Sequence, residues 1–235
     1  MTLANLLWRA ACVHPHRAAL FDGARVHADH AQWAGRGAAL AQHLQAQGMA
    51  PGDRVLLFMR NHVRYLETLW GCWWAGLVVV PVNAKLHPRE VEWIIGHSGA
   101  RLGFVTRDVA PAALHGLAQQ IDIESPQADA WLAPVDDFRA VPVVRRELGD
   151  AAWLFYTSGT TGRPKGVTLT HRNLMTMGLG YAVDVDAIRP DDAMVYAAPI
   201  SHGAGIYAIP HLMAGARHVV PASGGRSEEH TSELQ

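Results

Sequence analysis

Trp153, Leu154, Phe155 and Tyr156 are followed by Thr157, Ser158, Gly159, Thr160, Thr161, Gly162, Arg163, Pro164, Lys165 and Gly166, and then by Val167, Thr168, Leu169, Thr170, His171, Arg172 and Asn173. An apolar run suited to a buried strand gives way to ten residues dominated by hydroxyls and glycine. These close on a lysine and a final glycine, and a second short β-prone run follows. The pattern predicts a strand, a polar loop and a second strand. Glycines let the backbone approach a ligand closely, hydroxyls and backbone N–H groups donate, and the ammonium of Lys165 suits phosphate oxygens. In composition this is a cradle for polyphosphate. The alternative, on composition alone, is a Gly/Thr-rich hairpin with no ligand.

A Walker A loop carries glycine directly before its lysine and Ser or Thr directly after it. Pro164 and Gly166 flank Lys165 here, which sets aside a nucleoside-triphosphate hydrolase of that type. Thr157 to Gly166, with the apolar strand before it and Thr170 to Asn173 after it, instead resembles the signature loop of the adenylate-forming enzymes. That superfamily comprises acyl-CoA synthetases, luciferases and nonribosomal-peptide adenylation domains. The resemblance implies that Thr157, Ser158, Thr160 and Thr161 donate to the β- and γ-phosphate oxygens of ATP. Gly159 and Gly162 would then allow close approach, and Lys165 would neutralise charge as pyrophosphate leaves.

Composition narrows the alternatives. The chain has 235 residues, 49% of them hydrophobic, enough for a sizeable core. Basic and acidic residues are interspersed and the net charge is -1, so no single-sign field attracts nucleic acid. Two cysteines, Cys12 and Cys72, stand far apart in apolar company, which predicts buried thiols in a reducing compartment, the cytoplasm by default. The N-terminus lacks the pattern of a signal peptide, and the longest apolar run, Leu69 to Val80, is short of the roughly 18 residues of a membrane span. Fourteen histidines are scattered without Cys or carboxylate partners at ligand spacing, so no metal site is expected. Trp70, Trp73 and Trp74 read as one packed helix face.

Along the chain, the pattern predicts a helix over Leu3 to Val13 and a hairpin about Asp22 and Gly23. A second helix begins at an Asp29 N-cap and stops at Gly48. A strand over Arg54 to Met59 leads to a helix capped by Asn61, and a β-branched run over Val78 to Val80 follows. A helix over Pro88 to His97 and a strand over Leu102 to Thr106 continue the alternation. Repeated βα units imply an α/β fold, a mostly parallel sheet with helices layered on its faces. Between about Ala110 and Gly149 periodicity fades, and this reads as a connecting region. After Lys165 come a strand over Gly166 to Leu169, a helix over His171 to Tyr181 and a strand over Ala193 to Ala197. A helix over Ile206 to Ala214, closed by Gly215, and a strand over Arg217 to Val220 complete the pattern.

The passages Gly52 to Val55 and Ala75 to Asn83 also resemble the opening of the acyl-CoA synthetase branch, so the resemblance covers almost the whole chain. Pro199 to Gly205 is similar to that branch's next motif, with Ser201 where an aromatic residue is common. The resemblance implies that His202 and Gly203 bind substrate. Without it, a lone histidine in an apolar stretch reads as a satisfied core residue.

Arg226 to Gln235 breaks the apolar pattern and resembles the translation of a sequencing adapter. Residues 1–225 are therefore expected to form part of an N-terminal adenylation domain, and residues 226–235 a non-native tail. The resemblance implies ATP-dependent activation of a small-molecule carboxylic acid to an acyl-adenylate, followed by thioester formation with CoA. It places the glutamate for Mg2+, the ribose-binding aspartate and the C-terminal catalytic lysine outside this sequence. The chain alone is thus expected to be inactive and, with sheet edges left unpaired, poorly soluble. An amino-acid adenylation domain, or a nucleotide-binding module without turnover, stands as the alternative. An amino-acid substrate would want an acidic partner near His202, and Pro199 to Gly205 contains none.

Overall fold

The structure, a computed structural model, describes residues 1–110, 113–157 and 164–222. Helix α1 (Leu3–Val13) is followed by the hairpin β1 (Ala18–Asp22) and β2 (Arg25–Asp29), then α2 (His30–Ala46). The alternation continues through β3 (Arg54–Phe58), α3 (Val63–Trp74), β4 (Val78–Val82), α4 (Pro88–Ser98), β5 (Leu102–Val105), β6 (Gln119–Asp122) and α5 (Pro126–Trp131). Next come β7 (Ala151–Thr157), β8 (Lys165–Thr170), α6 (His171–Asp184), β9 (Ala193–Val195), α7 (Gly203–Ala214) and β10 (Arg217–Val220).

The strands form two sheets rather than one. The larger has the order β6-β5-β3-β4-β7-β8 and the smaller β2-β1-β10-β9. Every pairing is parallel except those of β1 with β2 and β7 with β8. Strand β3 from Val55 onward and all of β4 are apolar because both faces of the larger sheet are covered. Val55, Leu57 and Val79 face the core that the two sheets share with α1, α2 and α3, whereas Leu56, Phe58, Val80 and Val82 pack with Val91, Ile94 and Ile95 of α4.

A chain of indoles crosses the shared core. Trp33 of α2 meets His218 of β10 and Trp70 of α3, each with ring centroids 5.2 Å apart, and Trp70 meets Trp73 at 5.0 Å. Trp73 reaches Trp153 of β7 at 6.3 Å and donates its indole N–H to the carbonyl of Ala152 at 2.9 Å. The three tryptophans of α3 are all buried, as their spacing predicts; Trp70 and Trp73 link the smaller sheet to the strand that ends at Thr157, while Trp74 meets Phe138.

Local signals hold for α2, where Asp29 Oδ1 accepts from Gln32 N–H at 2.7 Å and Gln32 Oε1 accepts from Asp29 N–H at 3.0 Å. They fail at α3. Its N-cap is His62, whose Nδ1 accepts from Arg64 N–H at 3.1 Å, because the side chain of Asn61 is engaged elsewhere. The connecting region also carries regular structure that its sequence obscures. Pro126 occupies the first turn of α5, where a missing N–H costs nothing, and Ser125 caps that helix. β6 and α5 are only 4 and 6 residues long, too short for a period to declare itself. Helix α7 begins at Gly203, earlier than Ile206, and of the two thiols only Cys72 is fully buried while Cys12 is half-buried. The expected boundary at residue 225 and the tail beyond it lie outside the described residues.

Several histidines are buried in the neutral form. Burial, assisted by the Arg146 charge, pushes His171 down to about 4, and burial also lowers His30, His62 and His218. The unfolded chain binds these protons near the ordinary histidine value of about 6.5, so the folded state binds fewer protons below it. Stability is therefore fully present above about pH 6.5 and falls as the pH drops toward about 4. Melting temperatures across that window should decline steadily, and His171→Gln should reduce the slope; a melting temperature that stays level would contradict this assignment.

Candidate functional site

Strand β7 delivers Thr157 to the carboxyl end of the larger sheet, where ligands bind in open α/β folds. The antiparallel partner β8 returns opposite it, so Thr157 pairs with Lys165 and Tyr156 with Gly166. The two ends of the expected phosphate loop are thereby held side by side. Ser158, Gly159, Thr160, Thr161 and Gly162 lie outside the described residues.

Beside this edge is a cavity of about 290 Å³, lined by Pro81, Val82, Asn83, Leu86, Glu90, Ile94, Tyr156, Thr157, Pro164 and His202. It brings together Thr157 and His202, which sequence reasoning singled out separately. Lys165 and Gly203 do not line it. Lys165 is exposed on the sheet edge, and Gly203 opens α7 with no heavy atom within 4 Å of the place a Cβ would take.

His202 sits at the N-terminus of α7. Its ring meets Phe155 edge-on at 5.5 Å, and its Nδ1 lies 2.9 Å from the Ser201 hydroxyl. Burial lowers its pKa, so the imidazole is neutral near pH 7. The Ser201 hydroxyl can donate to Nδ1 or accept from it, and in the tautomer where it donates the ring proton is on Nε2, free to be offered to an anionic oxygen. Ser201, a departure from the aromatic residue common in similar motifs, thus gives the ring a polar partner at Nδ1.

The wall opposite is built by α4. Tyr156 Oη lies 2.7 Å from His97 Nδ1, and His97 stacks on Trp93 with centroids 4.7 Å apart. Burial raises the Tyr156 pKa, so its hydroxyl stays protonated beside His97. Gly166 is required beside it, since a Cβ there would come within 2.9 Å of the tyrosine ring.

Sequence reasoning missed Asn83, Glu90 and Tyr156. Asn83 follows β4 directly, and its place at a strand's carboxyl end was the available signal. Glu90 was hidden because it reads as a capping residue, and its Oε2 does accept from His87 N–H at 3.0 Å. Among the described residues no group of three or more His, Cys, Asp or Glu side chains could hold a metal ion. Nor does any helix among the described residues have the length and apolarity to cross a membrane.

The AMP-binding enzyme family profile matches residues 7–234. Feruloyl-CoA synthase from an Amycolatopsis species is 37% identical over 210 residues, covering 88% of this chain and 41% of that protein. The long-chain-fatty-acid CoA ligase FadD13 of Mycobacterium tuberculosis is 32% identical over 173 residues, covering 71% of this chain and 34% of that protein. The inhibitor-bound N-terminal domain of FACL13 from Mycobacterium tuberculosis superposes with a TM-score of 0.82 at 29% identity, over 93% of this chain and 56% of that one. The chain thus spans about two fifths of the curated relatives it matches, and its mixed α/β arrangement with mostly parallel sheets matches the N-terminal domain of adenylate-forming enzymes.

Proposed function

The chain belongs to the AMP-binding enzyme family, and on that premise we propose that the complete gene product activates a carboxylic acid with ATP and passes the acyl group to CoA. The carboxylate attacks the α-phosphorus of ATP, giving acyl-adenylate and pyrophosphate, and the CoA thiol then displaces AMP. The observation that carries this reading is the shared cavity, which sets Thr157, at the mouth of the phosphate loop, beside His202.

In this proposal Thr157, Ser158, Thr160 and Thr161 donate to the phosphate oxygens, Gly159 and Gly162 give the backbone room, and Lys165 offsets the charge of the departing pyrophosphate. Such chemistry rests on positioning and charge stabilisation, with charge-assisted contacts of about 1.5 to 3 kcal/mol each. His202 offers its Nε2 proton to a carboxylate oxygen, and Gly203 leaves the start of α7 uncrowded. The lining is apolar at Pro81, Val82, Leu86 and Ile94, which suits an acid with a hydrocarbon or aryl body. Bound magnesium would neutralise phosphate charge, and its ligands are assigned to sequence outside this chain. The reaction is assigned to the cytoplasm, where ATP and CoA are available, and residues 1–235 alone are assigned no turnover.

Glu90 favours an amino acid as the second reading. Its carboxylate lines the same cavity and supplies the anion that Pro199 to Gly205 lack, although one of its oxygens is committed to His87. Acid-dependent exchange of pyrophosphate into ATP, measured with the complete gene product across aryl, aliphatic and amino acids, separates the two. Exchange with aryl or aliphatic acids supports the first reading; exchange with amino acids only would replace it by the second.

A further inference from the structure

The segment that carries His202 is held by one amide from the other sheet. Asn61, just beyond β3, donates from Nδ2 to the carbonyl oxygens of Tyr196 at 3.0 Å and Ala198 at 2.8 Å. Its Oδ1 accepts from the N–H of Ile200 at 2.8 Å. Both amide hydrogens and the oxygen are used, a pattern that Asp lacks the donors for and Ser lacks the reach for.

These partners belong to the strap between β9 of the smaller sheet and α7. Beyond them the strap closes a turn in which His202 N–H donates to the Pro199 carbonyl at 3.1 Å, with Ile200 and Ser201 buried inside it. The amide therefore fixes the backbone two residues before His202, while Ser201 and Phe155 fix the ring. Asn61 itself does not line the cavity.

We propose that Asn61 is a positioning residue for acid binding: by clamping residues 196–200 to the end of β3 it sets His202 at the cavity wall, and so governs affinity for the carboxylic acid and not for ATP. The inference rests on the reading of His202 as a substrate-side residue. In Asn61→Asp the shape is kept, but an oxygen replaces the donor that faces two carbonyl oxygens.

The test is a double-mutant cycle in the complete gene product, with Asn61→Asp and His202→Ala measured singly and together by acid-dependent pyrophosphate exchange. Asn61→Asp should raise KM for the acid about tenfold and leave KM for ATP within about twofold. In the His202→Ala background the same change should add less than about twofold, because its effect passes through the histidine. Additive effects, or equal rises in both KM values, would overturn the proposal. An independent reading is the imidazole NMR titration of His202, which should move in Asn61→Asp and in the milder Asn61→Ser. An unmoved signal in a folded variant, or loss of folding in both variants, would also overturn it. A wild-type protein without acid-dependent exchange would refute the proposed function, while the titration still decides the role of Asn61.

Discussion

Gly205→Ala is expected to cost the protein at least about 3 kcal/mol, a large share of the roughly 5 to 15 kcal/mol that holds a domain folded. A Cβ at this position would clash with the carbonyl oxygen of Ile200 and lie 3.1 Å from the ring of Trp153. The first obstacle is backbone and cannot rotate away. It belongs to the strap that Asn61 holds, and Gly205 N–H is itself bonded to the His202 carbonyl at 3.0 Å. The second obstacle is fully buried at the end of the indole chain. Relief therefore requires either the strap or the core to move, and with it His202. Gly203→Ala is the matched control, since nothing stands within 4 Å of its added carbon, and it should change stability by less than about 0.5 kcal/mol. Denaturant unfolding of both variants checks the contrast; equal stabilities would contradict the packing described for the strap.

The second large effect concerns chemistry rather than folding. Lys165→Ala in the complete gene product should reduce acid-dependent pyrophosphate exchange by about 100-fold or more, the scale seen when a donor to developing charge is removed. Its side chain is exposed at the start of β8 and its backbone pairs with Thr157 irrespective of side chain, so the melting temperature should hold. Unchanged exchange would refute the role given to the lysine. A collapse of stability along with activity would instead make it a structural residue.

Much of this architecture is legible in the residues because its signals are local. The capping box of Asp29 and Gln32, the unbroken apolar runs of β3 and β4, and the glycine stop at Gly215 each act within a few positions. What escaped reading depends on distant partners. Asn61 has the chemistry of a helix cap, yet its amide is taken by backbone groups of residues 196–200, and His62 caps in its place. Nothing in a strand's own sequence says which of two sheets it will join, so the division between β1, β2, β9 and β10 and the other six strands was hidden. Pro126 shows the same limit on a smaller scale, since proline both breaks helices and begins them. At the site, Thr157 was singled out by its loop's composition and by the family resemblance, His202 by the resemblance alone. Their common cavity, and the contributions of Tyr156 and Glu90 to it, follow only from the packing of α4 against β7.

In the proposed function this chain supplies the phosphate grip and acid-side wall of an adenylate-forming reaction. The most direct measurement is a single turnover of the complete gene product with a carboxylic acid and ATP labelled at the α-phosphorus, CoA being withheld. The expected product is an enzyme-bound acyl-adenylate carrying the label, formed only when the acid is present, together with one equivalent of pyrophosphate. Release of ADP and orthophosphate, or AMP formation indifferent to the acid, would contradict it.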